Sequence, residues 1–344
     1  MKNQFADIYV CPLSKHALIL NSNEADGDEI LTGTLSVDHP GIKEKYHIND
    51  GTPSFIQDEN INLDSAESLE NEYYEKISQE YDDVMEWVFN SFYLNELEVR
   101  TGLIDLLNIK SSDLVLETGC GTCRDSELIL NRLSKNGGLF LQDLSQNMLS
   151  LGKKRLMPMI SQSESPMVEF FHGNAVSLPF RDNYFDSAYH FGGLNLFSDI
   201  KGALAEMARV VRIGGKIVIG DEGLAPWLRS LEIGKILMNS SQLYQHSPPI
   251  EMLPEYAKNV CLRWIIQNAY YIIEFEVGKE GPKIDLDLPI LGSRGGTHRT
   301  RYYGQLEGVS EEAKNLATKL AAENNVSLHQ WLDDAIREKE KRGK

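Results

Sequence analysis

The chain has 344 residues, more than one compact domain usually needs, and its 42% hydrophobic and 25% charged residues exclude wholesale disorder. No stretch approaches the ~18 uninterrupted apolar residues of a membrane span, and MKNQFADIYV lacks the basic and apolar regions of a secretory signal, so a cytosolic protein is expected. Thirty-four Lys and Arg against fifty-one Asp and Glu, a net charge of −17, disfavour nucleic acid as a partner, and four scattered cysteines exclude a disulfide framework.

Residues 1–60 alternate short apolar runs (Ile8 to Val10, Ala17 to Leu20, Ile30 to Leu35, Tyr46 to Ile48) with Gly, Asp and Pro turns, the pattern of a separate small β-rich domain. Cys11-Pro12 and the run from Tyr46 to Pro53 resemble the zinc-ribbon-like domain that precedes some methyltransferases and also exists as a free methyltransferase activator. That family holds zinc through a CPxC knuckle and a second cysteine pair. Here Ser14 stands at the second knuckle position and no cysteine precedes Tyr46, so no metal is expected.

A polar linker is expected from Asn60 to Glu70, followed by a helical stretch from Tyr73 to Leu107 with Tyr74, Ile77, Tyr81, Met85 and Val88 at three-and-four spacing. Strands and helices then alternate. Strands are predicted at Leu114–Glu117, Leu139–Gln142, Val168–His172, Ser187–His190 and Lys216–Ile219, with helices starting at Asp125, Gln146 and Ile200. Alternation at that spacing implies a parallel sheet with right-handed crossovers, over a domain of residues 70–292.

The segment Glu117-Thr118-Gly119-Cys120-Gly121 follows a strand and precedes a helix, where small residues let the backbone approach a ligand closely. The next strand ends at Asp143, whose carboxylate can accept hydrogen bonds from both hydroxyls of a ribose. Asp143 to Leu149, Gly173-Asn174-Ala175, Leu178-Pro179-Phe180, Phe191 to Asn195 and Glu206 to Gly215 follow in order.

From Tyr73 to Asp221 these ordered motifs resemble the class I S-adenosylmethionine-dependent methyltransferases, in the branch of the ubiquinone and menaquinone C-methyltransferases. The resemblance implies an α/β fold with a seven-stranded Rossmann-like sheet and S-adenosyl-L-methionine as cofactor. It further implies that Glu117, Gly119 and Gly121 cradle the methionine end and Asp143 holds the ribose. Leu144 or Met148 would pack on adenine, Asn174 and Ala175 would read its edge, and Tyr81 would cover the cofactor. Two positions depart from the family pattern: Cys123 replaces a third glycine, and Asn174 replaces an aspartate whose acceptor role its amide carbonyl can still fill.

Methyl transfer needs mainly alignment of nucleophile, methyl carbon and departing sulfur. An acceptor hydroxyl or amine would also need a proton acceptor, and His190, Asp221 and Glu222 at the carboxyl ends of two strands are the candidates. His190 is placed on the cofactor side as well. Gly223 to Val260, with Trp227 and Tyr244, reads as an apolar helical insertion forming a lid over the acceptor. Cys261–Gln267 and Tyr270–Val277 read as a closing antiparallel pair.

Ser293 to Tyr303 concentrates three arginines in an acidic protein, and Arg299 and Arg301 are candidates for binding an anionic small-molecule acceptor. Residues 293–344 then read as a strand from Tyr302, a helix from Ser310 to Asn324, a turn, and a helix from Leu328 to Lys339. Val326 to Leu332 resembles the second helix of ribbon-helix-helix proteins, which implies a homodimer through this tail. The resulting expectation is a small-molecule methyltransferase. An rRNA or tRNA methyltransferase and a cofactor-sensing DNA-binding regulator are the alternatives.

Overall fold

The computed structural model describes residues 1–39, 41, 44–56, 80–161, 165–303 and 309–343. The expected linker at Asn60 to Glu70 and the helical positions Tyr74 and Ile77 lie outside these. Contacts divide the chain into two units, Met1–Gly281 and Pro282–Lys344, rather than at residues 60 and 292.

In the first unit four strands come first, β1 (Leu18–Asp26), β2 (Glu29–Val37), β3 (Lys45–Asn49) and β4 (Thr52–Ser54). Two helices follow, α1 (Tyr81–Ser91) and α2 (Glu96–Asp105), where one stretch was expected. Tyr93 takes a left-handed φ of 55°, and Asn95 caps α2 by accepting from Glu98 N at 3.0 Å, which together break the helix. The alternating part runs β5 (Leu114–Thr118), α3 (Arg124–Leu130), β6 (Gly138–Asp143), α4 (Gln146–Ile160), β7 (Met167–His172), β8 (Phe185–Phe191), α5 (Ile200–Val210) and β9 (Val211–Glu222). After α6 (Glu232–Ser240), the antiparallel β10 (Ala257–Ile265) and β11 (Tyr270–Val277) close the unit.

The sheet has eleven strands, not seven, in the order β1-β2-β3-β4-β7-β6-β5-β8-β9-β11-β10. The seven from β5 onward are contiguous, and the N-terminal four extend their edge. Extension is possible because β7 would otherwise present unpaired backbone groups. Ser54 pairs in parallel with His172, and Phe55 N donates to His172 O at 2.8 Å.

Alternation along the central strands sends Phe140 and Phe171 to one face and Leu139, Leu141 and Phe170 to the other. The first face is covered partly by the N-terminal residues: Tyr9 packs on Phe55 at 4.9 Å and on Phe180 at 5.4 Å between ring centroids. Burying such rings contributes roughly 1.5–3 kcal/mol each, so the N-terminal strands share the main core. The strand order reverses at β5, which pairs in parallel with β6 on one side and with β8 on the other. The crevice at their carboxyl ends is where open α/β sheets bind ligands.

In the second unit α7 (His298–Tyr303), α8 (Glu311–Glu323) and α9 (Leu328–Arg342) follow one another, so Tyr302 and Tyr303 are helical where a strand was expected. Thr297 O accepts from Arg301 N at 3.0 Å, a helical bond that a strand could not make. Ser310 and Ser327 cap α8 and α9 through Ala313 N and Gln330 N. No helix among the described residues is long and apolar enough to cross a membrane.

Candidate functional site

A cavity opens at the reversal point, lined by Tyr81, Gly119, Gly121, Gln142 to Ser145, Met148, Asn174, Ala175, His190, Gly192, Gly193, Leu196 and Phe197. The strand ends supply its polar groups. Asp143 closes β6 with both oxygens turned to backbone donors, Oδ2 accepting from Gly121 N at 2.7 Å and Oδ1 from Ser145 N at 2.8 Å. It therefore ties the glycine loop to the start of α4, where Ser145 caps the helix through Met148 N.

Gly119 has φ +61°, and a Cβ added there would stand 2.9 Å from His190 Cε1. Only glycine allows this backbone to lie against the imidazole. At Cys123, where a third glycine was expected, the residue adopts φ 64° with a fully buried thiol. The side chain is accommodated because α4 carries Gly152 opposite it, with no Cβ in the way.

His190, at the end of β8, is 1% exposed. Its Nδ1 lies 2.7 Å from Thr118 O, and a carbonyl only accepts, so Nδ1 carries the proton. Nε2 is buried and has no hydrogen-bond partner among the described residues. Burial pushes the imidazole pKa down to about 4 against the pull of the Thr118 bond, leaving a neutral ring at ordinary pH. Phe197 packs edge-on against it at 5.0 Å.

Other expected residues are placed elsewhere. Glu117 is buried in β5, does not line the cavity, and accepts from Ser126 Oγ at 2.6 Å. Burial, followed by the neighbouring Cys123 and Asp125, pushes its carboxyl well above the usual range. Asp221 is fully buried and holds the turn after β8, accepting from Gly193 N at 3.1 Å and Asn195 N at 2.5 Å. Glu222 accepts from Tyr270 OH at 3.0 Å.

Trp227 is 57% exposed and meets Trp264 edge-on at 5.2 Å, while Tyr244 packs in a side cluster with Phe89, Leu224 and Tyr270. Around them the insertion is largely short turns of 3-10 helix, with α6 its single α-helix. In the second unit Arg299 pairs with Asp287 at 3.1 Å, and Arg301 donates to Gly295 O at 2.9 Å.

Sequence reasoning missed Gln142. Its Oε1 accepts from Gly119 N at 3.2 Å and its Nε2 donates to Gly173 O, so it bridges the glycine loop and the loop after β7. A polar residue just before the strand-ending Asp143 was the available signal. Gly192, Gly193, Leu196 and Phe197 were also unassigned, although the first two belong to the glycine-rich segment noted in the sequence.

Residues 63–223 match the model of the ubiE/COQ5 methyltransferase family. The match takes in the cavity's glycine loop, Asp143, Asn174 and His190, and covers just under half the chain. A demethylmenaquinone methyltransferase of Bacillus mycoides (strain KBAB4) is 32% identical over 154 residues, which is 45% of this chain and 62% of that protein. One from Bacillus cereus (strain AH187) is 33% identical over the same shares. The chain thus spans about three fifths of the length of the curated relatives it matches. Among solved structures, geranyl diphosphate C-methyltransferase from Streptomyces coelicolor A3(2) is similar at a TM-score of 0.41 and 13% identity, over 53% of this chain and 79% of that one.

Proposed function

We propose that this protein transfers a methyl group from S-adenosyl-L-methionine to a small-molecule acceptor. The observation that carries the reading is the cavity at the sheet's reversal point, which gathers Tyr81, Gly119, Gly121, Asp143, Leu144, Met148, Asn174, Ala175 and His190 from five separate chain segments. These residues fit the cofactor chemically. The cradle at Gly119 has no room for a side chain, and a carboxylate at the end of β6 suits a vicinal diol.

When bound, the cofactor supplies an electrophilic methyl group on a sulfonium. Asp143 would hold the ribose, Leu144 and Met148 would face the adenine, and Asn174 would present its amide to the base edge. Asn174 Oδ1 already accepts from Val176 N at 3.0 Å, which fixes the amide plane. Tyr81 at the start of α1 would close over the site, and the buried walls would exclude water. The glycine loop would take the methionine end, with Glu117 supporting it from behind through Ser126.

His190 is the proton acceptor of this reading. Its locked tautomer leaves Nε2 as the lone-pair nitrogen, suited to an acceptor that gives up an O–H or N–H proton. Asp221 acts on the turn carrying Gly193 and Asn195, so its part is positioning. Demethylmenaquinone, named for the Bacillus relatives, is the first acceptor to test.

The tail would join two chains. Leu316, Val326 and Ile336 stand exposed in its helical region, an apolar set that a second copy would cover. Light scattering of the full chain at micromolar concentration should then give twice the chain mass, and a monomer would remove the dimer.

The decisive experiment is calorimetry with S-adenosylhomocysteine. Asp143→Ala removes charge-assisted bonds worth roughly 1.5–3 kcal/mol each before water compensates, so affinity should fall at least tenfold. Unchanged affinity would take Asp143 out of the site.

A further inference from the structure

The N-terminal strands remain without a role in methyl transfer. One of their contacts toward the cavity runs through His172 at the close of β7, which is buried. Its Nε2 lies 2.9 Å from Leu144 O, and a carbonyl only accepts, so Nε2 carries a proton. Its Nδ1 lies 2.8 Å from Ser54 Oγ and 3.3 Å from Gln146 Nε2. An amide nitrogen only donates, so Nδ1 is the acceptor and Ser54 donates to it. One imidazole therefore links β4 of the N-terminal segment to the backbone of Leu144 in the cavity wall.

The same segment grips the opposite wall. Val10 N donates to Pro179 O at 3.0 Å, Ser177 Oγ donates to Pro12 O at 3.0 Å, and Lys15 Nζ reaches Leu178 O at 3.4 Å. These contacts fall on the loop that begins with Asn174 and Ala175. Pro12 and Lys15 belong to a turn closed by Cys11 N to His16 O at 2.8 Å. The Cys11 thiol supports that turn, accepting from Ser14 N at 3.4 Å and lying 3.2 Å from Tyr46 OH. Protein side chains thus surround the sulfur that a zinc knuckle would have used.

We infer that the N-terminal segment is a built-in brace for the adenine end of the cofactor site, with His172 as its positioning residue. Leu144 on one side is held by His172 of β7, itself backed by Ser54 of β4, and residues 177–179, just after Asn174–Ala175 on the other side, are held by Val10, Pro12 and Lys15. The glycine loop at the methionine end is tied instead to Gln142 and Asp143 of β6. The inference rests on the cofactor assignment above and assigns a ligand-specific duty to residues that touch no ligand.

The test compares S-adenosylhomocysteine with S-inosylhomocysteine, which differs in the edge of the base, by calorimetry on the full chain. His172→Phe removes the bonds to Leu144 and Ser54, and should weaken S-adenosylhomocysteine binding about five- to tenfold and erase most of the preference over the inosine analogue. His172→Gln keeps a donor and an acceptor and should restore much of both. Ser54→Ala, a mild change that leaves His172 in place, should give a smaller loss of the same kind, as should Lys15→Met from the other wall.

Wild-type protein that binds neither ligand would sink the cofactor assignment, and the brace with it. If wild type binds while Ser54→Ala, Lys15→Met and His172→Phe all keep affinity and preference within about twofold, the brace alone is refuted. Equal losses for both ligands that track a lowered melting temperature would reduce His172 to a stability residue and overturn the inference. Should His172→Phe fail to fold, the Ser54→Ala and Lys15→Met preferences decide the matter.

Discussion

The cofactor half of the first unit, around the cavity, and its insertion half, around Trp227 and Tyr244 and outside the cavity lining, are built by different means. Around Asp143, Gln142 and His172 nearly every wall is a strand end or a helix cap whose polar atoms are tied to backbone at 2.7–3.2 Å. Around Trp227 and Tyr244 the walls are short 3-10 turns and aromatic contacts, with Trp227, Leu231, Ile233 and Ile236 exposed. Backbone hydrogen bonds fix a shape that suits one invariant ligand. Side-chain packing on short turns can be replaced without disturbing the sheet.

Arg100 joins the halves, and removing it should have the largest effect. It pairs with Glu96 at 2.6 Å and Asp125 at 2.8 Å, and its guanidinium lies over Phe89 and Phe191. Burial opposes the charge, but Asp125 and Glu96 outweigh it and hold the guanidinium protonated. Arg100→Met would leave the buried Asp125 without its cation, while Glu96 keeps its pair with Arg124, and should lower stability by about 3–5 kcal/mol in denaturant unfolding. A loss under 1 kcal/mol would mean that the two halves are held together elsewhere.

Acid should strain the cofactor half next. His190 has a folded pKa lowered to about 4 from 6.5, so between those values the unfolded chain binds a proton that the folded chain refuses. Stability contributed by the neutral ring is complete above pH 6.5 and is lost as pH falls toward 4, up to about 3 kcal/mol. The difference in unfolding free energy between wild type and His190→Gln should therefore slope with pH in that window. A flat difference would place a charged, solvated histidine at the end of β8.

Overpacking the loop is a smaller test of the same half. In Gly152→Ala the new methyl would overlap the Cys123 thiol, costing roughly 1–3 kcal/mol by thermal or denaturant unfolding. Adding Cys123→Ala should recover part of that loss, and strict additivity of the two changes would show that they do not touch.

In the insertion, Trp227→Ala should change stability by less than about 1 kcal/mol, because the residue is 57% exposed. Affinity for S-adenosylhomocysteine should stay within about twofold. A tenfold loss of affinity would erase the distinction between the halves.

The alternation from Leu114 to Glu222 and the motif at Gly119–Gly121 were legible because each depends on local pattern: apolar runs of strand length, helix caps, and glycine where the backbone turns left-handed. Asp143 was legible for the same reason, as a carboxylate ending a strand. Glu117 was misjudged in direction, since strand alternation and the position of Ser126 turn its carboxyl away from the cavity. His172 gave no local sign of its bond, which reaches 28 residues along the chain, and Gln142, whose bond reaches 23, showed only its place before Asp143.

The sequence by itself determined the order of strands and helices, the place of the glycine loop and the residues at the strand ends, because period, capping and turn chemistry act over a few neighbours. Tertiary structure alone decided that residues 1–56 continue the sheet, that Gly152 makes room for Cys123, and that Tyr302 and Tyr303 are helical. Those outcomes depend on which edge is left unpaired and which surfaces meet across the fold. Contacts between distant segments are set by the packing of the whole chain and leave no periodic trace in the segments themselves.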